Sequence, residues 1–124
     1  MYSGSGAGPR LTAPRKATTM NLKGTLPALI LNVLEAGPKH GYQIAKEIKA
    51  SSKGVLDFRE GALYPALHGQ ENKGLIESCE QTENGRVRRY YRLTEAGHKA
   101  LAKERAEWKQ LSEAVYLVIG EATT

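Results

Sequence analysis

The chain has 124 residues, enough for one domain with a modest core and few enough that pairing with a second copy would help it. Its 18 Lys+Arg against 13 Asp+Glu leave a net charge of +5, which favours an anionic partner such as nucleic acid or a membrane surface. Cys79 stands alone, which excludes an intrachain disulfide and a thiolate metal cluster and fits a reducing, cytoplasmic setting, and no apolar run reaches the ~18 residues of a membrane span.

Residues 1–20, MYSGSGAGPRLTAPRKATTM, carry three basic residues, no acid and no helical or strand period. They read as a disordered basic arm or, with Met20 as the true start, as an over-long reading of the gene or an expression remnant. From Thr25 onward Leu26, Leu29, Ile30, Val33 and Leu34 recur at helical spacing, with Thr25 as cap, Pro27 in the first turn and Gly37-Pro38 as the stop. Residues 41–51 give a second helix, with Tyr42, Ile44, Ala45 and Ile48 inward and Gln43, Lys46, Glu47 and Lys49 outward. A third runs through EGALYPALHGQENKG, where Leu63 and Leu67 lie four apart, Pro65 falls near the start and Gly74 is the C′ residue. Leu75 to Thr82 and Arg86 to Leu93 read as strands around Glu83-Asn84-Gly85-Arg86, and Thr94 caps a last helix reaching about Val118. Three helices, a hairpin and a long helix make a mainly α fold with a small β-hairpin. That is a winged helix-turn-helix over residues 21–93, followed by a C-terminal helix and tail over residues 94–124.

The hairpin carries Arg86, Arg88, Arg89 and Arg92 within one strand, a density of like charge that something negative must offset. A two-residue Asn-Gly turn sets Glu83 opposite Arg86 and fixes every other pair. One face then holds Ile76 with Leu93, Ser78 with Tyr91, Glu80 with Arg89 and Thr82 with Val87, and this face docks on the core. The other holds Glu77 with Arg92, Cys79 with Tyr90, Gln81 with Arg88 and Glu83 with Arg86. On this reading Arg88, opposite a neutral glutamine, is the arginine left without a carboxylate. Cross-strand Glu–Arg pairs also decorate hairpins that bind nothing. A basic tip directly after a helix-turn-helix, however, is where a wing reaches the phosphates beside a recognition helix.

GTLPALILNVLEAGPKHGYQIAKEI, REGALYPALHGQENKGLIE and GRVRRYYRLTEAGHKAL together resemble the PadR family of winged-helix transcriptional regulators, over nearly the whole chain from Leu22. The resemblance rests on His40-Gly41-Tyr42, Leu63-Tyr64-Pro65-Ala66-Leu67 and Arg89-Tyr90-Tyr91-Arg92-Leu93-Thr94 in that order and spacing. The ERAEWKQLSEAV segment is similar to the compact subfamily with a single extended dimerisation helix. What the resemblance implies is a homodimeric repressor of a double-stranded DNA operator, relieved by a small-molecule effector. The chain departs from the family pattern at Gly69-Gln70, where a core leucine is expected and the back of the third helix would pack poorly, at the uncapped Arg59, and at Pro27.

The expected DNA-contacting residues are Tyr42, Lys46, Arg59, Gly61, Ala62, Tyr64 and His68 on the helices, and Arg86, Arg88 and Arg89 on the wing. Tyr64 and His68 lie one turn apart, on a face distinct from Leu63 and Leu67, and packing against the wing is the alternative for Tyr64. A lone histidine beside Gly-Tyr makes His40 a hydrogen-bonded structural residue rather than a metal ligand. The expected dimer surface is Leu22, Leu26, Leu29 and Ile30 with Leu101, Trp108, Leu111, Val115 and Val118, and Trp108 is also the candidate ring for stacking an effector. A winged-helix protein-interaction module with a merely solvated hairpin is the second reading. No Ser/His/Asp set, facing carboxylates, phosphate-cradling glycine loop or metal-ligand cluster is present, so neither an enzyme nor a cofactor is expected.

Overall fold

A computed structural model describes residues 22–120, so the expected N-terminal arm lies outside the described residues. In chain order the elements are α1 (Leu22–Leu34), β1 (Lys39–His40), α2 (Gly41–Ser51), α3 (Glu60–Asn72), β2 (Ile76–Glu83), β3 (Arg86–Leu93) and α4 (Glu95–Ile119). Among the described residues no helix is long and apolar enough to cross a membrane.

The expected winged helix-turn-helix is present, with two additions at its edges. Helix α1 begins at Leu22 rather than after a Thr25 cap, so Thr25 and Pro27 both lie inside it. Pro27 is tolerated because, so near the start, its missing N–H deletes a single intrahelical bond. The two-residue β1, too short for any strand pattern, pairs with β3 as Lys39 with Tyr91 and His40 with Tyr90, giving a three-stranded antiparallel sheet in the order β1-β3-β2.

The hairpin register is the expected one at all eight positions, from Ile76 opposite Leu93 to Glu83 opposite Arg86. Positive φ at Asn84 (50°) and Gly85 (77°) gives the turn whose twist matches the strands. Helix α3 ends as its sequence implies: the Leu75 amide donates to the Gln70 carbonyl and the Gly74 amide to that of Glu71, with Gly74 at φ 76°. Thr94 caps α4, its hydroxyl accepting from the Gly97 amide at 3.0 Å and donating to the Gly74 carbonyl at 2.6 Å. Gly97 is needed for this junction, since any Cβ there would collide with the Leu75 carbonyl.

The core joins Leu26, Ile30, Leu31 and Leu34 of α1 to Ile44 and Ile48 of α2, Leu63 and Leu67 of α3, and Ile76, Tyr91, Leu93 and Leu101. Two expectations change here. Gln70, in the place of a core leucine, is 2% exposed and donates its side-chain amide to the Pro27 carbonyl at 3.1 Å, so α3 packs on α1 through a satisfied polar contact rather than poorly. Leu26, Ile30 and Leu101, expected on a dimer surface, are at most 2% exposed in the single chain. They are used up by its own core, and what reaches past the core is the second half of α4.

Candidate nucleic-acid interface

Helices α2 and α3 meet along an open groove lined by Tyr42, Lys46, Lys49, Lys53, Arg59 and Tyr64, among others. The capping pair of α2 anchors one end: the Gln43 amide points at His40 Nδ1 from 3.3 Å, and the His40 amide donates to Gln43 Oε1 at 3.0 Å. Tyr42 is 67% exposed, stacks on His40 at 6.4 Å and has the Lys46 ammonium 5.9 Å from its ring centre. Lys49 is offset by Asp57 at 3.5 Å. Arg59 precedes α3 without a side-chain cap, and with Glu60 and Gly61 it is exposed.

From this groove His40 leads to the wing. Its Nε2 lies 2.8 Å from an Arg88 guanidinium nitrogen, and Tyr90 meets the imidazole edge-on at 5.4 Å. Glu83 accepts a 2.6 Å bond from the Tyr90 hydroxyl and sits 3.7 Å from Arg88. Burial first, and then the Arg88 charge, hold the His40 imidazole below its ordinary pKa, with Glu83 opposing, so the ring is neutral near pH 7.

This arrangement reverses the expected ranking of the arginines. Arg88 is held by His40 and Glu83, whereas the Arg86 side chain has no hydrogen bond or ion pair among the described residues. The cause is the reach of Glu83, which leaves its cross-strand neighbour and turns along the same face to Tyr90 and Arg88. Arg92 with Glu77 and Arg89 with Glu80 pair as expected. Arg89, also bonded to Ser78, stands on the other face of the hairpin and does not join Arg86 and Arg88.

The predicted helical residues are placed unevenly. Tyr42, Lys46, Arg59 and Tyr64 line one groove, and Tyr64 is half-buried against α2, where a Cβ on Gly41 would meet its hydroxyl at 2.7 Å. His68 and Gly61 are exposed on α3 outside the groove lining, while Ala62 packs against the core. Among the described residues no His, Cys, Asp and Glu set could hold a metal ion.

A family model for PadR-like transcriptional regulators matches residues 30–103, which carry α2, α3, the wing and the start of α4. The chain belongs to the PadR-like family of transcriptional regulators. It is 37% identical over 76 residues, 61% of this chain and 68% of the other, to a transcriptional regulator of Mycobacterium tuberculosis. A transcriptional regulator from Clostridium thermocellum has the same fold, with a TM-score of 0.74 at 28% identity, covering 80% of this chain and 97% of that one. A PadR family regulator from Clostridium difficile superposes with a TM-score of 0.69 at 31% identity, covering 78% of this chain and all of the other. The family and these relatives are transcriptional regulators rather than enzymes.

In this PadR-like regulator, sequence reasoning missed Lys53 as a groove residue and His40 as the link between groove and wing. Lys49 and Lys53, three and seven residues after Lys46, were a legible signal for the groove. Nothing in the sequence pairs His40 with Arg88, because their contact depends on β1 joining the sheet.

Proposed function

We propose that this chain is a homodimeric repressor that binds a double-stranded DNA operator through α3 and the wing. The observation that carries the reading is the run of basic and aromatic side chains from Arg59, Lys53 and Lys46 through Tyr42 and His40 to Arg88 and Arg86. Such a strip suits a phosphate backbone, with α3 presented to the base edges of the adjoining major groove. Dimerisation rests on α4 beyond Arg105, where Trp108, Tyr116, Leu117, Val118 and Ile119 are 48–86% exposed. Relief by a small effector belongs to the same proposal, with Trp108 as the ring on which a planar molecule would stack.

The test is binding to the duplex upstream of the protein's own gene against a scrambled duplex. His68→Ala should erode discrimination by about 1–3 kcal/mol for each base that His68 reads, while leaving scrambled-duplex affinity unchanged. Equal weakening on both duplexes would move His68 from base reading to the phosphate backbone.

A further inference from the structure

His40 sits between two donors and has one ring proton to arrange around them. The Gln43 amide points at Nδ1 and the Arg88 guanidinium at Nε2. Both neighbours can only donate, because a backbone amide and an arginine side chain have no acceptor to offer. A neutral imidazole carries its proton on one nitrogen and accepts at the other, so it can satisfy either donor but not both. The two contacts differ in strength as well: the one to Arg88 is charge-assisted and 2.8 Å long, the one to Gln43 is 3.3 Å.

We propose that His40 is a positioning residue whose tautomer couples the wing to α2, holding Arg88 in the free protein and closing the α2 cap once Arg88 moves to a DNA phosphate. In the free protein the proton lies on Nδ1, Nε2 accepts from Arg88, and the Gln43 amide faces a ring N–H that cannot accept from it. When a phosphate oxygen takes over Arg88, Nδ1 gives its proton to solvent, Nε2 gains one, and Nδ1 then accepts from Gln43. The proton count of the protein is unchanged. The ring is confined to this choice by its surroundings: Arg88 and Tyr90 from β3, Glu83 from β2 and Tyr42 from α2 are the charged and titratable groups around it, and it is 9% exposed. The lowered basicity of the imidazole keeps it neutral near pH 7, which a tautomer exchange requires.

The coupling rests on the DNA reading for its trigger, but half of its test needs no DNA. Two-bond nitrogen–proton correlation spectra of the full 15N-labelled chain separate the tautomers, and His40→Asn identifies the His40 signals among the three histidines. The pyridine-type nitrogen should be Nε2 in the free wild type and Nδ1 in Arg88→Ala, with the Gln43 amide exchanging more slowly in the variant. Adding duplex to wild type should produce the same shift from Nε2 to Nδ1. The proposal is overturned if Arg88→Ala keeps the wild-type tautomer, if the free wild type already has Nδ1 unprotonated, or if duplex binds and leaves the signals in place. A tautomer that exchanges in Arg88→Ala while no duplex binds would instead overturn the DNA trigger and leave the coupling between Arg88 and His40 standing.

Discussion

Leu101 and Val118 lie on one apolar stripe of one helix, yet Leu101 is 2% exposed and Val118 86%. The boundary between them is Arg105, which bonds to Asn32 at 2.8 Å and pairs with Glu35 at 2.6 Å, tying α4 to the end of α1. Up to that clamp α4 belongs to the core. Past it fourteen residues, about 21 Å of helix, run on with Trp108, Tyr116, Leu117, Val118 and Ile119 exposed. The hairpin repeats the contrast on a smaller scale, for Tyr91 is 2% exposed at its base and Val87 64% near its tip. In both elements the inner half completes the fold and the outer half is exposed surface.

The largest effect that would sharpen this division is on stability. Leu101→Ala should cost about 2–5 kcal/mol in denaturant titration, whereas Val118→Ala should leave the unfolding of a protomer within about 0.5 kcal/mol. Equal costs would place Val118 in a core and erase the boundary. Next in size is association: sedimentation should find wild type at twice the mass of Val115→Asp, and the variant should keep its helical content while losing operator affinity. A Val115→Asp dimer with full affinity would break the proposed role of the outer helix.

At the wing the expected effects are smaller. Arg86→Ala should weaken binding about equally for operator and scrambled duplex and lower the salt slope by about one, because a free guanidinium contacts phosphate without reading bases. Arg92→Ala, which removes a residue already paired with Glu77, should do less in the same titration. The smallest effect tests the clamp itself. Arg105, first by its hydrogen bond and then by its charge, holds the Glu35 carboxyl below its ordinary pKa. That depression contributes stability above the usual carboxylate range, and it is lost as pH falls through the lowered value. The stability gap between wild type and Glu35→Gln should therefore close in acid and stay open near neutrality.

The helices, the eight hairpin pairs and the Thr94 cap were legible in the sequence because each depends on local spacing or on a turn that fixes register. The contribution of β1 was not, since two residues carry no period and pair only because α2 places them beside β3. The end of the α4 stripe within the core was hidden for a similar reason: heptad spacing says which residues share a face, while the Arg105 clamp decides where that face stops being interior. The candidate site divides the same way. Tyr42, Lys46 and Arg59 followed from position in a helix-turn-helix, but the exchange of roles between Arg86 and Arg88 hangs on which way the Glu83 side chain turns.

The central claim is that the basic strip from α3 to the wing tip meets a nucleic-acid backbone. Its most direct measurement is the affinity of the full chain for duplex DNA across a range of salt concentrations. Neutralised phosphates release counterions, so the logarithm of the binding constant should fall linearly with the logarithm of salt, at about 0.9 per phosphate contacted. A slope corresponding to several phosphates is the predicted result. Undetectable binding at low salt, or binding indifferent to salt, would contradict it and leave a winged-helix surface built for a protein partner.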